Sequence, residues 1–236
     1  MSDMLEEKLS KANQLRESEQ FGGSAKLFTE CLIDYNDQQD YRGQIHSLCG
    51  QSLIYKILAR KDQSQIYRDL TIAFSKSALE ILESHLSQID SHTQSIAYSS
   101  FADALLMNNQ LKECLPYFEK SLSISPADKP EKGRLKSHIG GVKYLLGEKQ
   151  NGIELIKEGL QDIRTGDLND YKIRVWETGA LNGLAKIYAK EDDMENAKKI
   201  IGESLKIATD HNLSIRKREA EEIDQKISSG DTNFPI

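Results

Sequence analysis

The sequence predicts an all-α chain built from about five consecutive helix hairpins. Its composition permits long helices, because the 236 residues include 15 Gly and 4 Pro and 38% of them are hydrophobic. Apolar residues recur at the spacing of one helix face. One pattern of large and small residues also returns along the chain, and such a return indicates a repeat architecture.

Residues 97–126 carry the clearest copy of this pattern and predict two short helices closed by Ser125-Pro126. The large residues of the segment are Tyr98, Phe101, Leu105, Leu111 and Phe118. Small residues stand where two helices would cross closely, at Ala102, Cys114 and Ser121. Pro116 lacks a backbone N–H, so we expect it to kink the second helix or delay its start.

Two hairpins are predicted before this segment, at about 3–36 and 41–87. In the first, Ala12 marks the first helix and Phe28 the second, after a break at Glu19-Gln20. In the second, Gly50 is the small residue of a helix at about 41–60. Its partner helix has an apolar residue at every fourth position, namely Ile66, Leu70, Phe74, Ala78, Leu82 and Leu86. This spacing is close to the helical period.

The third hairpin spans about 92–125, and a capping box at Ser91–Gln94 is expected to begin it. Two more are predicted at about 131–165 and 170–209. In the fourth, the small positions are Gly140, Gly152 and Gly159, where we expect two backbones to approach closely. The fifth carries Leu181, Leu184, Ala185 and Tyr188 on its first helix and Met194, Ala197, Ile201 and Ser204 on its second.

A capping helix at 213–227 is predicted to cover the last hairpin, because an open repeat would expose its apolar face. Its narrow apolar stripe consists of Ile215, Ala220, Ile223 and Ile227. Residues 1–227 are thus expected to form a single repeat domain. The tail at 228–236 has no periodicity and is expected to be disordered.

These residues resemble the tetratricopeptide (TPR) repeat, a helix hairpin of ~34 residues. The recurring small residue of the first helices is Ala12, Gly50, Ala102, Gly140 and Ala185, at separations of 38, 52, 38 and 45. Because these separations exceed the consensus, the chain is most similar to long-helix arrays such as kinesin light chain and the bacterial Rap regulators. HEAT-type repeats of ~40–47 residues are the competing assignment. The resemblance implies a right-handed α-α solenoid.

Charge and cysteine usage narrow the partner classes and the location. The formal net charge of −6 opposes binding to nucleic acid and anionic lipid. The first residues have neither a basic start nor an apolar core, so we expect no secretory leader. No apolar stretch reaches the ~20 residues of a membrane helix, so we expect no membrane insertion. The number of cysteines is odd, with Cys31, Cys49 and Cys114 far apart in the sequence, which suggests reduced thiols in the cytoplasm.

Possible catalytic residues occur as isolated groups. His46 and Cys49 share a helix face, but no second pair completes a metal site, which favours core packing. His138 lies near Gly140-Gly141, and this glycine pair has neither the residues nor the setting of a phosphate loop. The sequence therefore predicts no enzyme, no cofactor and no metal.

In TPR-like arrays the first helix of each hairpin lines the concave surface. The resemblance therefore implies a partner-binding groove along the face that points away from each second helix. The predicted groove residues are Gln44, Gln51, Tyr55, Ser99, Asp103, Met107, Arg134, Ser137, Tyr144, Asn182, Lys186 and Lys190. Polar positions with interspersed aromatics suit a peptide or a helix.

The function predicted from the resemblance is a non-catalytic scaffold or adaptor that binds a peptide or helix of another protein. The carboxylate clamp of chaperone-binding relatives is absent, because only Asn13 agrees with it among the matching positions. Those positions are Leu9, Asn13, Leu48, Ile96 and Ser100. Two alternatives stay open: a self-associating structural protein, which would form a homo-oligomer, and a peptide-sensing regulator of the Rap kind.

Overall fold

The structure is a computed structural model that describes residues 2–234, with side chains from residue 4 onward. Over this range it contains eleven α-helices, one short 3-10 helix at Leu86–Gln88 and no strand. The helices are α1 Ser2–Glu17, α2 Phe21–Asp37, α3 Tyr41–Asp62, α4 Gln65–Ser84, α5 Ser91–Met107, α6 Leu111–Ile124, α7 Lys129–Leu145, α8 Lys149–Ile163, α9 Tyr171–Lys190, α10 Met194–Asp210 and α11 Ser214–Ser229. The predicted all-α fold class is confirmed.

Consecutive helices pack as hairpins, α1 with α2, α3 with α4, and so on to α9 with α10. The chain divides into two compact units, Met1–Pro126 and Ala127–Ile236. The first contains α1 to α6 and the second α7 to α11. Within each unit, a first helix also contacts the first helix of the next hairpin, as α3 does with α5 and α7 with α9.

Six of the turns between helices share one backbone geometry, namely those after α1, α2, α5, α7, α9 and α10. Asn109 adopts a left-handed conformation with φ of 58° after α5, as does Asp192 with φ of 60° after α9. The next residue then donates its N–H to a carbonyl five positions back, at 2.9 Å from Gln110 N to Leu105 O. This bond is the mark of a Schellman motif, which satisfies the open carbonyls at the helix end. Gly147, with φ of 97°, occupies the same place after α7.

Small residues hold the hairpins of the first unit together. A Cβ on Gly50 would run into the ring of Phe28, so glycine lets α3 lie against α2. Ser95 and Ser121 join α5 to α6, with 2.8 Å between their hydroxyl oxygens. The Ser121 hydroxyl also lies 2.8 Å from the backbone carbonyl of Ser95. Polar groups buried at this crossing are therefore hydrogen-bonded.

In the second unit the backbones of α7 and α8 touch, as the glycine positions predict. A Cβ on Gly140 would lie 2.6 Å from the carbonyl oxygen of Gly152, and a Cβ on Gly152 would meet the Gly140 carbonyl equally closely, at 2.6 Å. Gly159 faces the carbonyl of Gly133 in the same way. The crossing has no room for a side chain at these four positions.

Two local predictions from the sequence are wrong. The residue that caps α5 is Asp90 rather than Ser91, because Asp90 Oδ1 accepts the N–H of Thr93 at 2.9 Å. Of the two effects expected of Pro116, the delayed start is wrong, since α6 begins at Leu111, and the kink stays a prediction. A carboxylate one residue before the expected serine therefore satisfies the helix N-terminus.

The tail, predicted to be disordered from residue 228, is ordered as far as Phe234. Helix α11 continues to Ser229, and Gly230 ends it in a left-handed conformation. Phe234 is 5% exposed and packs in an apolar cluster. Residues 235–236 of the predicted tail lie outside the described residues.

Candidate partner-binding surface

Several predicted groove residues of the first unit are buried and engaged within the fold. Gln51 is 2% exposed, and its Nε2 donates to the Ala25 carbonyl and the Thr29 hydroxyl of α2, both at 2.8 Å. The other buried members of the set in this unit are Gln44, Ser99 and Met107. The prediction that these four side chains are presented to a partner is wrong, because neighbouring helices cover them.

Tyr55 lies between the two helices of its own hairpin. Its ring stacks on Phe74 of α4, with 5.5 Å between ring centroids and 2° between planes, and also lies near Tyr67. The prediction placed Tyr55 on the face away from α4 and is therefore wrong. Aromatic stacking in the hairpin core explains the residue.

Asp103 lies in the layer of first helices, where the sequence places it. Its carboxylate forms an ion pair with Lys56 of α3, at 2.7 Å between Lys56 Nζ and Asp103 Oδ2. Both side chains are mostly covered, at 11% and 16% exposed. The pair joins α3 to α5. Asp103 would have to give up its ion pair with Lys56 in order to bind a ligand.

Two predicted groove residues of the second unit are also internal. The hydroxyl of Tyr144 donates to Glu191 Oε1 at 2.6 Å, and burial together with this bond raises the pKa of Tyr144. Asn182 accepts a 2.6 Å hydrogen bond from Ser204 of α10, so it faces the second helix of its hairpin. Both expectations of an outward-facing side chain are wrong.

The remaining predicted residues are Arg134, Ser137, Lys186 and Lys190. Arg134 lies over the ring of Trp176, with 5.8 Å between guanidinium and ring centroid, and so bridges α7 and α9. The Ser137 hydroxyl bonds back to the Gly133 carbonyl of its own helix at 3.0 Å. Lys186 is half-buried and Lys190 is exposed on α9.

Two glycines of these first helices have open space where a side chain would stand. A Cβ on Gly141 of α7 or on Gly183 of α9 would meet no atom within 4 Å. Gly183, Lys186 and Lys190 follow one another at helical spacing on one face of α9. We call this surface the open face; it consists of Arg134, His138, Gly141, Gly183, Lys186 and Lys190. Sequence reasoning missed its glycines, although their spacing from the lysines was visible.

The family assignment follows from these hairpins. A family model described as the SusR N-terminal TPR domain matches residues 32–222. The chain belongs to the SusR N-terminal TPR domain family. This confirms the TPR resemblance and removes the HEAT-type alternative.

Solved structures agree with the assignment. The nearly identical TPR-like repeats of a kinesin light chain from Podospora anserina are similar, with a TM-score of 0.56, 13% identity, and coverage of 89% of this chain and 97% of that one. BtubC (BKLC) from P. vanneervenii gives a TM-score of 0.54 and 13% identity, with coverage of 98% and 93%. At these identities the likeness concerns the fold alone. No curated protein sequence matches the chain.

The residues that could suggest chemistry in this TPR domain serve packing. His46 Nε2 lies 3.2 Å from the Thr93 hydroxyl, and burial lowers the pKa of His46 to about 4. Burial raises the pKa of the Cys49 thiol to about 12, so this thiol is protonated at neutral pH. All three cysteines are free and buried.

Neither a metal-binding group nor a membrane-spanning helix is found among the described residues. Between residues 2 and 234, no group of three or more His, Cys, Asp and Glu side chains could hold a metal ion. Within that same range, no helix is both long enough and apolar enough to cross a membrane.

Proposed function

We propose that this TPR domain is a non-catalytic scaffold that binds a segment of another protein along the open face. The observation that carries the proposal is that a Cβ added to Gly141 or Gly183, on the first helices α7 and α9, would meet no atom within 4 Å. A peptide or helix backbone can approach closely where the helix surface carries no Cβ. TPR-type arrays commonly use the surface of their first helices for such ligands.

The charge of the open face suggests the chemistry of the ligand. Arg134, Lys186 and Lys190 bring three cationic groups to a chain with a net charge of −6. We therefore propose a peptide with acidic side chains, which these cations would orient. The three buried, free thiols are compatible with the cytoplasmic location that the sequence predicts.

The test begins with peptides selected by display on the immobilised chain. Their affinity is then measured by fluorescence anisotropy for wild type and for the double variant Lys186→Glu/Lys190→Glu. We expect binding at least about tenfold weaker, which corresponds to about 1.4 kcal/mol. Raising the salt concentration is expected to weaken wild-type binding as well, because the contact is electrostatic.

The matched control is Lys198→Glu/Lys199→Glu, which makes the same charge change at exposed positions of the second helix α10. Its affinity is expected to stay within about twofold of wild type, since surface charges outside a contact contribute little. Equal loss in both double variants would show a general charge effect. Equal binding by all three proteins would remove the open face as the site.

A further inference from the structure

The last helix, α11, packs on α9 and α10 at one end of the second unit. Each first helix before it is followed by a second helix that completes the hairpin. After α11 the described residues contain no further helix, and the chain continues through Gly230 to Phe234. In this segment, Phe234 belongs to the same apolar cluster as Ala220, Ile223 and Ile227 of α11.

The segment after α11 forms a turn that is held by hydrogen bonds. Lys226 Nζ binds both Asp231 Oδ2, at 2.7 Å, and the Asn233 carbonyl, at 2.8 Å. Asp231 Oδ1 accepts the N–H of Asn233 at 2.8 Å. The hydrogen bond from Lys226 lowers the pKa of Asp231. One lysine thus recognises a carboxylate and a backbone carbonyl two residues apart.

This turn places the ring of Phe234 inside the fold, where it is 5% exposed, and we call the space that the ring fills the Phe234 pocket. Phe234 belongs to an apolar core cluster that draws on helices α9, α10 and α11, and its other buried members are Ala185, Ala189, Ala197, Ile201, Ala220, Ile223 and Ile227. Large side chains buried in well-packed, desolvated pockets are the usual anchors of protein interfaces.

We propose that this pocket, together with Lys226, is a second peptide-binding site that the chain's own tail occupies. Its ligand is a turn of another protein that carries an aromatic residue three positions after a carboxylate. The seated tail defines this chemistry, because Asp231 and Phe234 make the two contacts that such a ligand needs. The site lies outside the open face, so the inference does not depend on the function proposed there.

Competition by the tail sets what binding measurements should show. A short tether holds its own ligand at an effective concentration of about millimolar. A free peptide of the same sequence is therefore excluded from wild type until the tail is weakened. Removing the aromatic ring or the carboxylate of the tail opens the pocket while leaving Lys226 in place for the incoming peptide.

The test uses the full chain and a fluorescent peptide of sequence SSGDTNFPI, which copies residues 228–236. Binding is followed by anisotropy for wild type, Phe234→Ala and Asp231→Ala. We expect Phe234→Ala to bind at least about tenfold more tightly than wild type. Asp231→Ala changes a side chain that is 44% exposed, so it tests the site even if Phe234→Ala folds poorly, and we expect it to bind severalfold more tightly than wild type.

Controls address the ring and the source of the ligand. A peptide in which alanine replaces the phenylalanine should lose binding to both variants. Equal affinity of wild type and the two variants, or no binding by folded variants up to about 1 mM peptide, would overturn the proposal. A wild-type dimer that Phe234→Ala dissolves, seen by light scattering, would also overturn it, because the pocket would then serve a second copy.

Discussion

Two adjacent glycines of α7 should respond to alanine with opposite signs. The Gly140→Ala Cβ would lie 2.6 Å from the Gly152 carbonyl and 2.9 Å from the Ile156 nitrogen, both of them backbone atoms. The Gly141→Ala Cβ meets nothing within 4 Å. Both changes raise helix propensity, by about 0.5–1 kcal/mol. Overpacking a tight core costs about 1–3 kcal/mol. We therefore expect Gly141→Ala to stabilise by about 0.5–1 kcal/mol and Gly140→Ala to destabilise by about 1–2 kcal/mol.

Urea unfolding followed by far-UV circular dichroism measures both effects. Slopes of about 1–3 kcal/mol per molar urea convert these changes into midpoint shifts of a few tenths of a molar or more. The comparison is internal, because both positions lie in one helix and undergo the same substitution. If both variants were stabilised, α7 and α8 could separate without cost. The steric reasoning for the glycine contact would then be refuted.

Two further predictions concern a turn and a titration. Gly147 adopts φ of 97°, so Gly147→Ala is expected to destabilise the fold by about 1–2 kcal/mol, seen as a lower urea midpoint. Gly202→Ala is the control, because its Cβ meets nothing within 4 Å. An unchanged midpoint for Gly147→Ala would contradict this reasoning. The pKa of His46 is about 4 in the folded chain and ~6.5 when unfolded, so the unfolded chain binds the extra proton first as pH falls. The free energy of unfolding is therefore expected to fall between about pH 6.5 and 4 in wild type and to fall less in His46→Gln. Urea unfolding of both proteins at pH 7 and pH 5 measures this, and an equal loss of stability in the two proteins would count against the reasoning.

The sequence contained the information for the helix crossings. A crossing requires small residues at particular positions of two helices, and that requirement appears locally, as at Gly140 and Gly152. The same reasoning explains Gly50 against Phe28. This steric demand is strong enough for the hairpins to be predicted from a single sequence.

The sequence did not determine which side chains face outward. Tyr55 and Asn182 occupy polar or aromatic positions that a helical wheel assigns to a groove, yet both turn toward the second helix of their hairpin. That choice depends on the partner residues Phe74 and Ser204, which lie far along the chain. The Phe234 pocket was missed for a related reason, because a tail without periodicity gives no sign of packing.

The glycine contact between α7 and α8 also has a consequence for motion. Side chains in a packed interface can change rotamer and so absorb small displacements of the helices. At Gly140 and Gly152 there is no rotamer to change, because backbone meets backbone. We therefore expect α7 and α8 to move together as one rigid pair. Any bending of the second unit then has to occur at its other helix contacts, including those of α9, which carries Gly183 of the open face.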